Sequence, residues 1–166
     1  MALAKTEFKI KQKIVYPSQG VGIITAIEEK EFKGEKRLYY VVFIEVSDMM
    51  IMVPVEKAAE LGIRAIVDAE EAEKALNFIG EEFEPNPSDW KLRYQMNLDL
   101  LKKGTIIDIA AIVRSLYHRS KVKELPIMER KLYDSAQRLL QDEISIALKK
   151  TKEDVETLIH EKLESR

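Results

Sequence analysis

Met49-Met50-Ile51-Met52-Val53-Pro54-Val55-Glu56-Lys57-Ala58-Ala59-Glu60-Leu61-Gly62 holds the change from one kind of chain to another. Residues 49–53 read as a strand, which Pro54 ends because proline has no N–H to give to a sheet ladder. Beyond Pro54 the apolar spacing becomes helical. Upstream lie more short strands: Ile14-Val15-Tyr16 before the turn residues Pro17, Ser18 and Gly20, then the β-branched run 21–27. Lys33-Gly34 can supply a positive-φ turn, and residues 38–46 form the longest strand candidate, pairing with the preceding strand as a hairpin. So many short strands in about 45 residues predict a small, strongly bent antiparallel barrel of SH3 or Tudor type.

Downstream, residues 55–61 predict a short helix stopped by Gly62. Asp68 caps a helix to about residue 79, and 81–88, with two prolines and three glutamates, reads as a loop. Ser88 or Asp89 then caps a helix through Lys103, stopped by Gly104. Thr105 with Asp108 and Thr151 with Asp154 have capping-box spacing, for helices to about 119 and 164. Between them, residues 127–149 carry one apolar stripe from Met128 through Leu132, Leu139 and Leu140 to Leu148. The expected architecture is α+β in two modules, an N-terminal barrel over 1–66 and an all-helical domain over 67–166.

The 166 residues are 46% apolar and contain no cysteine, which removes disulfides, thiolate nucleophiles and thiolate metal ligands. The first thirteen residues hold no apolar run of signal-peptide length, and no stretch has the ~18 apolar residues of a membrane span. The expectation is a cytoplasmic protein with no membrane association. Overall net charge is only −2, but that balance conceals a break: residues 69–89 carry −6 and residues 90–131 carry +6, with the sign changing at Trp90. Such asymmetry is the footprint of a polyanion-facing surface.

No catalytic constellation emerges. His118 and His160 read as surface histidines, Gly20-Val21-Gly22 lacks the helix start of a phosphate loop, and the carboxylates lie on amphipathic helices. The chain is expected not to be an enzyme and to need no cofactor, metal or small-molecule ligand. Trp90 has two readings. Trp90, Tyr94, Leu98 and Leu101 share the spacing of one helical face, which suits core; yet a ring in a first turn, flanked by Lys91 and Arg93, can lie at the rim of a core and reach a base step.

Four segments, Val15-Tyr16-Pro17-x-x-Gly20-Val21-Gly22, Met52-Val53-Pro54, Trp90-x-x-Arg93-Tyr94 and Glu129-Arg130-Lys131, resemble the CarD/CdnL family of bacterial transcription regulators in order and spacing. The first also resembles the polymerase-interacting domain of transcription-repair coupling factor. The resemblance implies a Tudor-like module that binds the RNA polymerase β subunit and a helical module that meets promoter DNA at the upstream edge of the bubble. It implies little sequence dependence, with the tryptophan matching Trp90 wedged into the minor groove to stabilise the open complex. Lys91, Arg93, Arg130 and Lys131 are then the other DNA candidates. By position, Lys30, Tyr40, Val42, Met52, Val53 and Pro54 are the polymerase candidates. Alternation puts Met50, Met52 and Pro54 on one strand face and Met49, Ile51 and Val53 on the other. Two residues depart from the family pattern: Leu92 stands where relatives commonly have arginine, and Pro126 replaces a small capping residue. The alternative is a protein-interaction adaptor with no DNA role.

Overall fold

The computed structural model describes residues 6–165, so the outer domain limits expected at 1 and 166 lie outside it. Two compact units divide between Ile66 and Val67. The first is one antiparallel sheet of five strands in the order β4-β3-β2-β1-β5, with β1 Lys13–Tyr16, β2 Gly20–Phe32, β3 Glu35–Ile44, β4 Met49–Pro54 and β5 Arg64–Ala65. Lys33 and Gly34 turn the β2–β3 hairpin at φ 53° and 79°, the left-handed pair that matches strand twist. A bulge at Thr25 interrupts the β2–β3 register and bends the strand.

One face of this sheet closes over Phe8, Ile14, Ile24, Tyr40, Val42, Ile44, Val53, Ala58 and Ile63. The Tyr40 hydroxyl is buried as an acceptor for the Glu7 and Phe8 N–H groups. Gly22 explains part of the Val-Tyr-Pro-x-x-Gly-Val-Gly segment: a Cβ there would sit 2.8 Å from Val42 Cγ1 and 2.9 Å from Ile44 Cδ1. Only glycine allows β3 to approach so closely.

Two expectations change here, and one strand is added to them. The longest strand is β2, with 13 residues, because the charged stretch after Ile27 pairs as a solvated ribbon, Glu28 with Tyr39 through Phe32 with Glu35. Instead of a helix, residues 55–61 form a 3₁₀ turn at Val55–Lys57 and further turns before Gly62 at φ 81°. The two-residue β5, paired to β1, is too short to leave a hydrophobic period.

The second unit comprises α1 Ala69–Ile79, α2 Trp90–Lys103, α3 Ile106–Val122, α4 Ile127–Leu148 and α5 Lys152–Glu164. Side chains of Asp68, Asp89, Thr105 and Thr151 cap α1, α2, α3 and α5, each satisfying an otherwise orphaned N–H. Pro126 occupies the N-cap of α4 without a side-chain bond, its carbonyl accepting from Arg130 N at 2.9 Å. The central helix is α3, with Ile109, Ile112, Val113 and Leu116 fully buried and α1, α2 and α4 against it. Among the described residues no helix is long and apolar enough to cross a membrane.

Candidate functional site

In the first unit, β4 is an edge strand, whose outer backbone groups are free to pair with another chain. Its register with β3 sets Met50 opposite Phe43, Met52 opposite Val41 and Pro54 opposite Tyr39, and opposed residues share a sheet face. Met50 is 58% exposed and Met52 40%. The outward apolar face is therefore Met50, Met52 and Pro54 beside Tyr39, Val41 and Phe43. This corrects the sequence reading, which set Tyr40, Val42 and Val53 on the contact strip. All three are core, at most 1% exposed, and Val53 faces Tyr40 across the β3–β4 ladder. The phase of β4 was legible from its methionines, but apolar residues on both faces of β3 hid its own phase. Lys30 is exposed in the β2–β3 ribbon, opposite Arg37 and 3.9 Å from Glu28. It lies four residues along β2 from Ala26, the residue level with Met52 through Val41, or ~13 Å at strand rise.

In the second unit, Asp89 accepts from Lys91 N at 3.1 Å and so fixes the first turn of α2, where Trp90 is half-buried with its ring 6.4 Å from that of Tyr94. Lys91 is exposed, and so is Leu92. Arg93 departs from its expected role. It is 2% exposed and Glu129, in the first turn of α4, is 0% exposed. Arg93 Nε and Nη2 donate to the two Glu129 carboxylate oxygens at 2.7 and 2.5 Å. Nη1 donates to the carbonyls of Pro87 and Ser88 at 3.0 and 3.2 Å. Four of its five N–H groups are thus engaged within the unit, and at 2% exposure the charge expected to meet DNA is turned inward on Glu129. Arg130 and Lys131, immediately after Glu129, are exposed; Arg130 lies 3.6 Å from Asp134. In the sequence Glu129 stands out only as part of a motif, because nothing local reveals a partner 36 residues away.

Of the two histidines, His160 lies at the surface as expected and His118 does not. His118 is half-buried between the Phe83 and Tyr117 rings, at 5.4 and 5.2 Å. His160 is exposed, 3.6 Å from Glu164, and its ring approaches Tyr117 at 6.3 Å. The two thus meet at one tyrosine despite their separation in sequence. The Tyr117 hydroxyl donates to Glu164; burial, then this bond, push its pKa up to about 12. It serves as a proton-bearing tie between α3 and α5. Among the described residues, no group of His, Cys, Asp and Glu could hold a metal ion.

Two family descriptions span most of the chain. The CarD-like/TRCF RID domain matches residues 8–67, and the CarD, C-terminal domain matches residues 74–160. The chain belongs to the CarD family. Membership places it among transcription regulators that interact with RNA polymerase, a family that is not enzymatic. A relative in Bacillus subtilis (strain 168), YdeB, named as a candidate transcription factor, is 41% identical over 143 residues, covering 84% of this chain and 91% of its own. The solution NMR structure of the 72-residue N-terminal domain of Myxococcus xanthus CarD is 32% identical, over 37% of this chain and 83% of that one, with a TM-score of 0.31. CdnLNt from the same organism is 39% identical, over 40% of this chain and 94% of that one, with a TM-score of 0.32.

Proposed function

We propose that this CarD-family chain stabilises the open promoter complex of RNA polymerase. The sheet unit binds the β subunit through the outward face and free edge of β4. The helical unit meets promoter DNA at the upstream edge of the bubble, with Trp90 as a minor-groove wedge and Lys91, Arg130 and Lys131 on phosphates. The observation that carries this reading is the placement of Trp90, part-exposed in the first turn of a helix whose Arg93 is bonded to the residue before Arg130 and Lys131. Apolar wedges act on base steps while neighbouring cations hold the backbone.

The test is Trp90→Ala in transcription complexes. Polymerase affinity is expected to stay unchanged while the lifetime of open complexes falls. A fully buried ring would cost ~3–5 kcal/mol on truncation, so a half-buried one should cost less and the unit should stay folded. The exposed apolar side chains Leu92, Met96 and Met128 would equally suit a protein partner, the adaptor reading. A stable Trp90→Ala protein with an unaltered open-complex lifetime would favour that reading and reject the wedge.

A further inference from the structure

We propose that Arg93 and Glu129 are positioning residues that hold the wedge and the phosphate-contacting cations in one rigid frame. The inference rests on the DNA reading above. Little else fixes the start of α2. The only buried side chains of that helix are Arg93 and Asn97. Asn97, one turn further on, makes no side-chain hydrogen bond among the described residues. Trp90, Tyr94, Leu98, Leu100 and Leu101 are all half-buried. The start of this helix is thus held by a polar fork rather than by a buried apolar stripe.

That fork joins three pieces of chain. Its Nη1 grips the carbonyls of Pro87 and Ser88, the residues leading into the cap at Asp89. Its Nε and Nη2 grip Glu129 in the first turn of α4. The guanidinium plane fixes direction as well as distance, which a lysine ammonium cannot do. Trp90 and Lys91 lie three and two residues before Arg93, and Arg130 and Lys131 directly follow Glu129. One ion pair therefore sets the spacing between a wedge aimed at a base step and the cations aimed at the phosphates around it. A wedge works only if it arrives at the step in register, so rigidity here is a functional requirement.

A buried ion pair is seldom retained for stability alone, because paired apolar residues of similar size often serve as well or better. That permits a test which separates positioning from folding. The full-length double variant Arg93→Met with Glu129→Leu is compared with wild type, Trp90→Ala and Arg93→Lys. Polymerase affinity, thermal midpoint and open-complex lifetime are measured for each, and the time-resolved fluorescence anisotropy of Trp90 in the free protein for each that keeps the indole. The double variant is expected to keep its fold and polymerase affinity, to lose the lifetime gain by about tenfold, and to show added nanosecond motion of the indole. Arg93→Lys, which keeps a charge opposite Glu129 but not the fork, should show the same mobile ring and a partial loss. Because only Arg93→Lys retains that charge, it decides the matter if the double variant fails to fold. Adding Trp90→Ala should remove nothing more from the double variant and only the residual gain from Arg93→Lys. A folded variant with wild-type lifetime and anisotropy overturns the positioning role and leaves the wedge intact. If Trp90→Ala itself leaves the lifetime unchanged, the DNA reading falls, and the positioning role with it.

Discussion

At the scale of single residues, Gly22 shows how a short motif carries a packing demand. Gly22→Ala places a methyl group against Val42, Ile44 and the Phe43 carbonyl, all within 3.0 Å; we expect a loss of ~1–3 kcal/mol in denaturant unfolding of the sheet unit. A neutral result would mean that β3 can retreat. The motif was legible in sequence, but its cause, a close approach between strands, was not. The tie between Tyr117 and Glu164 gives a pH signature. The Tyr117 hydroxyl holds the Glu164 carboxyl below its ordinary value of 4.5. That contribution is therefore present above the ordinary value and lost as pH falls through the lowered one. The phenol, raised from 10.0 to about 12, contributes fully below 10 and loses its contribution as pH rises through about 12. Tyr117→Phe should flatten both limbs of the stability profile. Flattening is partial in acid, since Lys121 and His160 remain within 3.8 Å of Glu164. Parallel acid limbs in wild type and variant would count against the tie.

At the scale of elements, the two faces of β4 make opposite predictions from adjacent residues. Met52→Glu adds a carboxylate to the exposed face, where it is solvated in the free protein but costly once covered; polymerase binding should weaken while the melting profile stays unchanged. Val53→Glu puts the same group into the core beside Tyr40 and should unfold the sheet unit. Lys30→Glu, on the ribbon rather than on β4, should weaken binding less. Normal association by a folded Met52→Glu protein would remove β4 from the interface. Helix ends were easier to read than strand faces. A cap acts over three or four residues and leaves its chemistry in the sequence, as Asp68, Asp89, Thr105 and Thr151 do. A strand's inward face depends on which neighbour it pairs with, and β3, apolar on both sides, leaves that open. The two-residue β5 left no period at all.

At the scale of the whole molecule, the charge break at Trp90 survives in the structure but with fewer available cations than a count of residues suggests. Arg93 is consumed by Glu129. Arg114 is buried, with its guanidinium 4.0 and 4.6 Å from the Phe78 and Phe83 ring centres, and Lys121 faces Glu164 at 3.8 Å. Sequence fixes the sign of a segment but cannot show which charges are neutralised across the fold. Salt dependence of DNA binding can show it. The free protein, with a net charge of −2, should bind duplex weakly and with little sequence preference. Each phosphate contact releases counterions and contributes about 0.9 to the slope of log affinity against log salt. Lys91→Ala, Arg130→Ala and Lys131→Ala should therefore each lower the slope by about 1 across unrelated sequences. The double variant Arg93→Met with Glu129→Leu should leave the slope unchanged, because the Arg93 charge is enclosed with that of Glu129 inside the unit. A slope lowered equally by that double variant would mean that the pair with Glu129 opens on DNA. An unchanged slope in Lys91→Ala, Arg130→Ala and Lys131→Ala would move the DNA-facing surface away from the starts of α2 and α4.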